Sequence, residues 1–350
     1  MRLALNLGYW GMGNDTDNLA LAQEADRLGF AVVWAAEAYG SDAATVLTWI
    51  AAHTQRVDVG SAIFQIPART PAMTAMTAAT LDTLSGGRFR LGVGVSGPQV
   101  SEGWHGVRFD APLARTREYV DVVRMALRRE RVAYVGQHYT LPLPDGPGKP
   151  LKLTVHPVRE RLPIYLAAVG PKNLELAGEI ADGWLGVFFA PDAAGEVLDH
   201  LKAGRARSGA SWESFDLVPT APLIVGDDVS ACADPVRAYT ALYLGGMGSR
   251  DRNFYNALAV RMGYPDAARA VQDHYLDRRY AEAMAAVPLE FIDRTSLLGP
   301  RERIAEQLQV YAAAGVTTLA IATYASTLAE RLHAVRTAAE ALDASGAGSG

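Results

Sequence analysis

The stretch Leu81-Asp-Thr-Leu-Ser-Gly-Gly-Arg-Phe-Arg-Leu-Gly-Val-Gly-Val-Ser-Gly97 decides the fold of this chain. Gly86-Gly87 supplies the left-handed backbone conformation that ends a helix. Apolar residues then alternate with other residues over Phe89–Val95, as they do in a buried strand. Gly92 and Gly94 have no side chains, so a ligand can lie close to the carboxyl end of this strand. The stretch therefore predicts a helix, a tight turn and a buried strand, which is the repeating unit of an α/β protein.

Segments of these two kinds alternate along the rest of the chain. Eight strand-like segments, each followed by a helix-like one, favour a parallel sheet closed into a (β/α)8 TIM barrel, an α/β fold. A doubly wound open sheet is the alternative, but no sequence feature marks the switch point that it needs. The expected strands are Leu3–Leu7, Ala31–Ala36, Val57–Ile63, Phe89–Val95, Pro163–Val169, Trp184–Phe188, Leu217–Val225 and Thr317–Ala322.

The length of 350 residues suits a single barrel with insertions. We expect one domain over residues 1–343, followed by a flexible, glycine-rich tail over residues 344–350. Residues 98–114, 131–160 and 246–297 fit no strand–helix unit, so we interpret them as insertions on the loops that follow strands. Those loops carry the active site in a barrel.

Composition excludes several classes of protein. Apolar residues make up 49% of the chain and charged residues 20%, so a large core is feasible. The formal charge of −5, without any Lys/Arg block, argues against a nucleic-acid partner. The single cysteine, Cys232, cannot form an internal disulfide and fits the cytoplasm. No apolar run is long enough to span a membrane, and the first residues do not form a signal peptide.

Neither a dinucleotide-binding motif nor a metal-binding motif is indicated by the sequence. Gly92-Val-Gly-Val-Ser-Gly97 satisfies the G-x-G-x-x-G pattern, but a dinucleotide site requires a helix to start directly after it. Because Pro98, Gly103 and Gly106 follow, we expect no helix there and reject a Rossmann site. The seven histidines are scattered without a pair at ligand spacing, so we predict no metal site.

The residues at the expected strand ends define a candidate pocket. They are small, aromatic or uncharged, with the single acid Glu37, so a flat apolar ring would suit the pocket. Glu37 could donate a proton or hold a ring N–H, although an exposed loop acid is the alternative. Four aromatic residues could line the pocket or pack in the core: Tyr9, Trp10, Tyr39 and Trp104.

The stretch Ala167-Ala-Val-Gly-Pro-Lys-Asn173 lies where the fifth strand meets its helix. Small residues there permit close approach of a ligand, and a helix amino terminus offers free N–H groups to an anion. Lys172 adds a positive charge. We therefore predict a phosphate site, with a merely tight strand-to-helix turn as the alternative.

With these motifs in view, the chain resembles the luciferase-like F420-dependent oxidoreductases over almost its whole length. The resemblance also rests on Trp34–Tyr39, Ser96–Gly106, Tyr165–Asn173, Ile180–Trp184, Gly245–Gly248, Asn253–Asn256, Leu298–Ile304 and Ala314–Val316. It implies an insertion-bearing barrel that binds coenzyme F420 at its carboxyl face and transfers hydride between the deazaflavin C5 and an organic substrate. It also implies a cis peptide at Ala62–Ile63 and a homodimer.

The resemblance further implies a set of cofactor-binding residues. Gln65, Val95 and Ser96 would face the ring, and Gly170 to Asn173 would meet the phosphate of the cofactor tail. The full set is Asn6, Ala62, Ile63, Gln65, Val95, Ser96, Gly97, Ala168, Val169, Gly170, Pro171, Lys172 and Asn173.

Two departures from the family pattern bear on the reaction. Members that oxidise alcohols or sugar phosphates carry Asp-His after the second strand and an acid after the glycine-bearing strand. Here those places hold Glu37-Ala38 and Gly97. Without the histidine base, reduction of an activated C=C or C=N bond in a small or peptide-borne substrate is favoured. Glu37 is the first candidate for the acid, His105 the second, and Glu102 a further one.

Other functions stay open at this point. An FMN-dependent luciferase-like monooxygenase is the nearest alternative, and a non-catalytic flavin or deazaflavin carrier is a more distant one. The long insertion over residues 246–297, rich in Tyr, Arg and Asp, could either cap a substrate pocket or make a dimer contact.

Overall fold

A closed parallel barrel forms the body of the molecule in the computed structural model, which describes residues 1–10 and 15–348. Each barrel strand pairs in parallel with its neighbours, and the last pairs with the first, with Arg2 opposite Thr318. The predicted barrel is confirmed and the open sheet is excluded. Its strands are β1 (Arg2–Asn6), β2 (Val32–Ala35), β3 (Asp58–Ser61), β4 (Phe89–Gly94), β5 (Ile164–Ala167), β6 (Gly183–Val187), β7 (Asp216–Val225) and β8 (Thr318–Thr323).

Eight helices surround the strands. Side chains begin several of them: Asp42 accepts from the Thr45 N–H, and Thr327 forms a capping box with Glu330. Proline occupies the first turn of three, where its missing N–H costs no hydrogen bond. The helices are α1 (Asp15–Leu28), α2 (Ala43–Ala52), α3 (Pro71–Leu84), α4 (Pro112–Leu127), α5 (Pro171–Ile180), α6 (Ala194–Ser208), α7 (Arg301–Ala313) and α8 (Leu328–Ser345).

The barrel interior is filled by a few large side chains set against small ones. Trp34 of β2 is fully buried, and its ring meets that of Tyr165 edge-on at 5.3 Å between centroids. A Cβ at Gly60 of β3 would lie 2.3 Å from the Trp34 ring, so only glycine fits beside it. The interior is therefore packed rather than hollow, and a ligand can bind only above it.

The amino-terminal end of the barrel is closed by a cluster of charged and polar groups that we call the plug. It comprises Arg2, Asp58, Arg90, Tyr165 and Asp216, all within the first two residues of their strands. Arg90 pairs with Asp58 at 2.7 Å and with Asp216 at 3.1 Å, and the Tyr165 hydroxyl donates to Asp216 at 2.9 Å. Because these groups satisfy one another away from water, ligand chemistry is left to the opposite end.

The first two insertions are small. A short helix over Pro98–Gly103 follows β4, with Gly97 as its N-cap. The expectation that no helix starts there is wrong, because proline is well suited to a helix's first turn. The closed barrel nonetheless excludes a Rossmann site, which belongs to an open sheet. In the second insertion, Tyr134–Val135 pairs antiparallel with Thr140–Leu141.

The third insertion is a helical cap, which we define as residues 229–294. Its core is separate from that of the barrel and helix layer, and Phe188 and Ile224, at the carboxyl ends of β6 and β7, pack into it. The helix after β7 contributes Cys232 and Val236 to this core, so the insertion begins earlier than residue 246. The cap helices are Val229–Ala241, Phe254–Arg261, Pro265–Leu276, Tyr280–Ala285 and Leu289–Arg294.

The chain leaves the cap through the short strand Leu297–Gly299, which pairs with β7, and then enters α7. The last helix continues through Ser345, two residues into the segment expected to be flexible, and residues 349–350 lie outside the described part. Among the described helices, none combines the length and apolarity that a bilayer crossing requires.

Candidate active site

The carboxyl ends of β3 and β4 form one side of the barrel mouth. The peptide bond between Ala62 and Ile63 is cis, as the resemblance implies. Both residues pack over the barrel interior beside Ala167 at the end of β5. A Cβ at Gly94 would lie 2.9 Å from the Ile63 side chain, so glycine is needed for this fit. Three strand ends therefore meet here in an apolar surface.

Two polar residues hold this side of the mouth in place. The Ser96 backbone has a φ of 61°, the left-handed region that residues other than glycine rarely adopt. Its hydroxyl donates to the Gln65 side-chain oxygen at 3.1 Å, and the Gln65 amide donates to the Ala38 carbonyl at 2.6 Å. Because Gln65 is 1% exposed, its main contacts are with the protein. We expected it to face a cofactor ring, whereas the structure has it join the loops after β2, β3 and β4.

Glu37, the first candidate for a catalytic acid, is engaged in an ion pair. Its carboxylate accepts from Arg69 at 2.9 Å and from the backbone N–H of Ala43, in the first turn of α2, at 3.1 Å. Arg69 also pairs with Asp42. The Glu37 side chain is only 8% exposed and that of Arg69 13%. Both oxygens of the Glu37 carboxylate are thus engaged within the protein, which favours a structural role for this residue.

Of the other two candidate acids, Glu102 lies in the last turn of the short helix and His105 follows that helix. Glu102 is exposed, and its carboxylate accepts from the Phe109 backbone N–H at 3.0 Å, which closes the loop. His105 is half-buried, and its Nε2 atom is buried without a hydrogen-bond partner among the described residues. Of the three candidates, His105 is thus the one with a buried ring nitrogen that no described residue satisfies.

The predicted phosphate site lies at the start of α5. Gly170 is the N-cap of this helix, and a Cβ there would meet nothing within 4 Å, so the backbone is open to a ligand. Lys172 is exposed, while the Asn173 amide donates to the Ala167 carbonyl at 3.3 Å. Arg261 of the cap reaches the Val169 carbonyl at 3.3 Å and brings a second cation to this corner.

Residues predicted to bind the cofactor occupy other edges of the mouth as well. Asn6 ends β1, where its side chain accepts from the Gly8 N–H at 2.9 Å and donates to Thr220 of β7 at 3.3 Å. Val95 and Ser101 line a small, open depression beside the short helix after β4. The structure therefore spreads the predicted set around the carboxyl ends of the barrel.

The opposite side of the mouth is aromatic. Three tyrosines lie near one another there, Tyr9 after β1 and Tyr239 and Tyr243 of the cap, and we call them the phenol cluster. Phe188, directly after β6, packs against two of these rings, with centroids 5.3 Å from Tyr239 and 5.6 Å from Tyr243. Tyr324, directly after β8, completes the wall at 5.3 Å from Tyr239.

The aromatic residues that could line the pocket or pack in the core lie in different environments in the structure. Tyr9 lies in the wall of the mouth, as one reading of the sequence expected. Tyr39 is 62% exposed and Trp104 67%, so neither is enclosed in a pocket wall or core. Trp10 packs against the barrel core. Trp184, the second residue of β6, is buried against Phe189, and its indole N–H donates to the Ala168 carbonyl at 2.9 Å.

Sequence reasoning missed Arg69 and the two cap tyrosines. Arg69 lies in an irregular loop after β3, and nothing local in the sequence marks it as the partner of Glu37. The tyrosine content of the long insertion was visible, but which tyrosines reach the barrel depends on how the cap folds over it. The one sequence signal for these tyrosines was an aromatic residue just before a glycine pair, as in Tyr243 before Gly245-Gly246.

Comparison with known proteins agrees with this architecture. A family model of luciferase-like monooxygenases matches residues 11–318. A protein of Mycobacterium tuberculosis, named a candidate coenzyme F420-dependent oxidoreductase, is 45% identical over 328 residues, which cover 92% of this chain and 94% of that one. The 5,10-methylenetetrahydromethanopterin reductase of Archaeoglobus fulgidus is 28% identical over 296 residues, covering 84% and 85%.

A solved structure shows the same fold. The coenzyme F420-dependent tetrahydromethanopterin reductase of Methanopyrus kandleri superposes with a TM-score of 0.81. The match covers 97% of both chains at 21% identity. At that identity the likeness supports the insertion-bearing barrel and nothing about the ligand.

Proposed function

This chain belongs to the luciferase-like monooxygenase family, and we propose that it is an F420-dependent oxidoreductase within that family. The observation that carries the proposal is the 45% identity, over nearly the full length of both chains, to a relative named as F420-dependent. The reductase of Archaeoglobus fulgidus supports an oxidoreductase of the same kind. These relatives favour F420 over FMN, and thus hydride transfer over oxygenation.

The mouth of the barrel fits a deazaflavin. Its β3–β4 side is apolar where Ala62 and Ile63 lie, and the Glu37 charge is paired with Arg69 rather than directed at a ligand. The open N-cap at Gly170, with Lys172 beside it, would hold the phosphate of the cofactor tail. When bound, F420 supplies or accepts a hydride at its C5 carbon.

The residues of this chain would position both reactants and exclude water. Ser96 and Gln65 fix the strand ends beneath the proposed ring site. The Glu37–Arg69 pair ties the loops after β2 and β3 to the start of α2. The cap closes the opposite side with aromatic rings, which keeps the reacting groups in a site of low water content.

We propose that the physiological direction is reduction of an activated C=C or C=N bond in a small or peptide-borne substrate. Oxidation of an alcohol requires a base at the mouth. Ala38 stands where a histidine would serve, and Gly97 stands where an acid would stand. Glu37 is held in an ion pair, so its carboxylate is poorly placed to accept a proton. The arrangement supports reduction, in which a hydride is accepted by the substrate.

A parallel titration of the purified protein with F420 and FMN, followed by cofactor fluorescence, tests the proposal. Preferential F420 binding at micromolar concentration is expected, followed by oxidation of F420H2 in the presence of electron-poor alkenes or imines. Preferential FMN binding with oxygen consumption would instead establish the monooxygenase. Binding of either cofactor without turnover of any acceptor would indicate a carrier.

Lys172→Ala sharpens the titration. Loss of one charge-assisted contact to a phosphate should weaken F420 binding about tenfold, equivalent to about 1.4 kcal/mol. Lys149→Ala, at an exposed lysine on the second insertion, is the matched control and should leave F420 affinity unchanged. Equal affinities for the two variants would remove the phosphate site from the proposal.

We further propose that the protein acts as a homodimer in the cytoplasm. The dimer is implied by the family resemblance, and the unpaired, buried Cys232 is compatible with a reducing compartment. Light scattering coupled to size-exclusion chromatography measures the oligomeric state directly.

A further inference from the structure

The phenol cluster at the mouth has no role in the cofactor contacts proposed above. It combines a residue of the barrel, Tyr9, with two residues of the cap, Tyr239 and Tyr243. The ring centroids of Tyr239 and Tyr243 are 4.6 Å apart, and Tyr9 is a further neighbour of Tyr243. Three phenol side chains from distant parts of the chain are therefore neighbours at the mouth.

An uncommon backbone conformation fixes the position of Tyr243. It lies in a π-helical turn, Leu242–Gly246, a rare conformation that occurs often at functional sites. The Asn253 amide donates to the carbonyls of Tyr243 at 3.0 Å and Leu244 at 2.9 Å, and Asn256 donates to Leu244 at 3.0 Å. These two asparagines satisfy carbonyl groups in the widened turn, so the turn is held from outside.

Glycine is essential to the same turn. A Cβ at Gly245 or at Gly246 would lie 2.4 Å from the Tyr275 side chain of the neighbouring cap helix. The turn and that helix are thus in direct contact, and Tyr243 is fixed relative to the cap. The sequence motifs around Gly245 and Asn253 thus serve the same π-helical turn, which positions the Tyr243 side chain toward the barrel.

The electrostatic surroundings of the cluster are neutral. Burial raises the pKa of both Tyr239 and Tyr243 well above the ordinary value, and the nearby groups that affect them are other tyrosines. Burial also raises the pKa of Tyr9, with Tyr39 adding to the effect. The three side chains remain partly exposed at the mouth. They are therefore neutral hydrogen-bond donors at pH 7 and poor bases.

We infer that the phenol cluster is an oxyanion site, which binds the activating oxygen of the substrate as negative charge develops on it. The substrate class is then a double bond conjugated to a carbonyl-type oxygen. This inference rests on the proposed function, because it places the acceptor at the same mouth. Fixed neutral donors in a dry site stabilise a developing oxyanion strongly, and removal of one such donor costs about 10²- to 10³-fold in kcat.

Binding of 4-nitrophenolate to the full-length protein tests this without turnover. This planar anion mimics an enolate, and its absorbance distinguishes the bound anion from the neutral phenol. We expect the protein to bind the anion in preference to the neutral form, so the pKa of the bound probe should fall below that of the free probe. Tyr243→Phe should weaken anion binding about tenfold and remove most of that preference. Preferential binding of the neutral phenol by the unaltered protein would overturn the inference.

Tyr255→Phe is the matched control. Tyr255 packs against Tyr243 at 4.7 Å between ring centroids, and its pKa is raised to about 12 by burial, but its hydroxyl has no hydrogen bond to the cluster. Affinity for the anion should change less than twofold. Equal losses in Tyr255→Phe and Tyr243→Phe would reduce the cluster to packing and overturn the inference. If Tyr243→Phe fails to fold, Tyr9→Phe provides the same comparison from the barrel side.

F420 fluorescence titration of the same variants separates the two proposals. Tyr243→Phe should keep F420 affinity within twofold. A parallel loss of F420 binding would assign the cluster to the cofactor and overturn the oxyanion site. If the unaltered protein fails to bind F420 but still binds 4-nitrophenolate in the expected way, the proposed cofactor is wrong and the oxyanion site stands.

Discussion

The two ends of the barrel both carry polar side chains, but these side chains have different kinds of partner. At the amino-terminal end, Asp216 of the plug accepts from Tyr165, Arg90 and two threonines at 2.5 to 3.1 Å. At the carboxyl-terminal end, the phenol cluster and the His105 Nε2 atom have no charged partner among the described residues. The plug uses its polar groups to bind the protein to itself, whereas the mouth keeps donors available for a ligand.

The contrast has an energetic basis. A buried charge is tolerated only where partners surround it, so a charged network must be complete to be stable. Neutral hydroxyls cost about 1 to 3 kcal/mol when left without partners, which a folded domain can sustain at a few positions. A ligand that supplies those partners recovers this free energy on binding. The buried charges of the plug are therefore paired with one another, whereas the aromatic side of the mouth carries neutral donors.

Asp216→Asn should give the largest loss in the free energy of unfolding. A small loss would contradict the contrast drawn between the plug and the mouth. The substitution removes the charge that Arg2 and Arg90 share, and Arg90 would be left with Asp58 alone. We expect a loss of about 3 kcal/mol in the free energy of unfolding, measured by urea titration, with unchanged F420 affinity. Asp234→Asn is the control, because Asp234 is 70% exposed and its pairing with Arg237 should contribute less than about 1 kcal/mol.

Glu37→Gln tests whether a charged group at the mouth serves structure or chemistry. The amide keeps one acceptor oxygen but puts an NH2 group where the other carboxylate oxygen accepts from the Gln65 N–H and from Arg69, and it removes the charge paired with Arg69, so we expect a loss of about 2 kcal/mol in unfolding free energy. Turnover of the best acceptor should fall less than tenfold, as for a positioning residue. A loss of 100-fold or more, with one limb of the pH–rate profile removed, would restore Glu37 as the acid.

Glu102→Gln provides the comparison for that experiment. Its exposed carboxylate accepts only from Phe109 within the described residues, so neither stability nor turnover should change appreciably. A large loss of turnover in this variant alone would make Glu102 the proton donor.

The pH dependence of stability should differ between the two ends. Burial alone would raise the pKa of Asp216, but Arg2, Thr317 and Arg90 outweigh it and lower the pKa below its ordinary value. This contribution is present above the unfolded-state pKa, about 3.9, and is lost as the pH falls through the native pKa. Urea titrations below pH 4 should therefore show a loss of at most about 1.4 kcal/mol per pH unit per proton, reduced in Asp216→Asn.

At the mouth the sign is reversed. Since burial raises the pKa of Tyr239 and Tyr243, their contribution is present below pH 10 or so and is lost as the pH rises further. Tyr165 in the plug shares this alkaline loss, because burial raises its pKa too. Tyr239→Phe should weaken the alkaline loss by one group's share while leaving the acid limb intact. Equal acid limbs in Tyr239→Phe and Asp216→Asn would contradict the assignment.

Much of the fold was predictable because it depends on local signals. Helix α3 ends at Leu84, just before the Gly86-Gly87 pair that predicted its end. The eight barrel strands lie within a few residues of their predicted bounds. The error at Pro98 came from reading proline and glycine only as breakers. The cap helices beyond residue 246 were not predicted, because their burial depends on Phe188 and other residues far away in the sequence.

The candidate site was less predictable. The sequence placed Glu37, Gln65 and Ser96 near one another, because the carboxyl ends of parallel strands meet at one rim. It could not reveal that Glu37 pairs with Arg69 or that the Gln65 side chain is hydrogen-bonded to Ser96 and Ala38. Those contacts depend on the paths of irregular loops.

By itself, the sequence determined the barrel and the end of it that carries chemistry, because hydrophobic alternation, caps and turns act over a few residues. Only the tertiary structure decided how the polar groups are used. Arg90 and Asp216 are 126 positions apart, and Tyr9 follows the first strand whereas Tyr243 lies in the cap, yet the two residues of each pair are neighbours in the folded chain. Partnership between distant side chains, which sets whether a group is charged, paired or free, is decided by chain closure and packing rather than by local pattern.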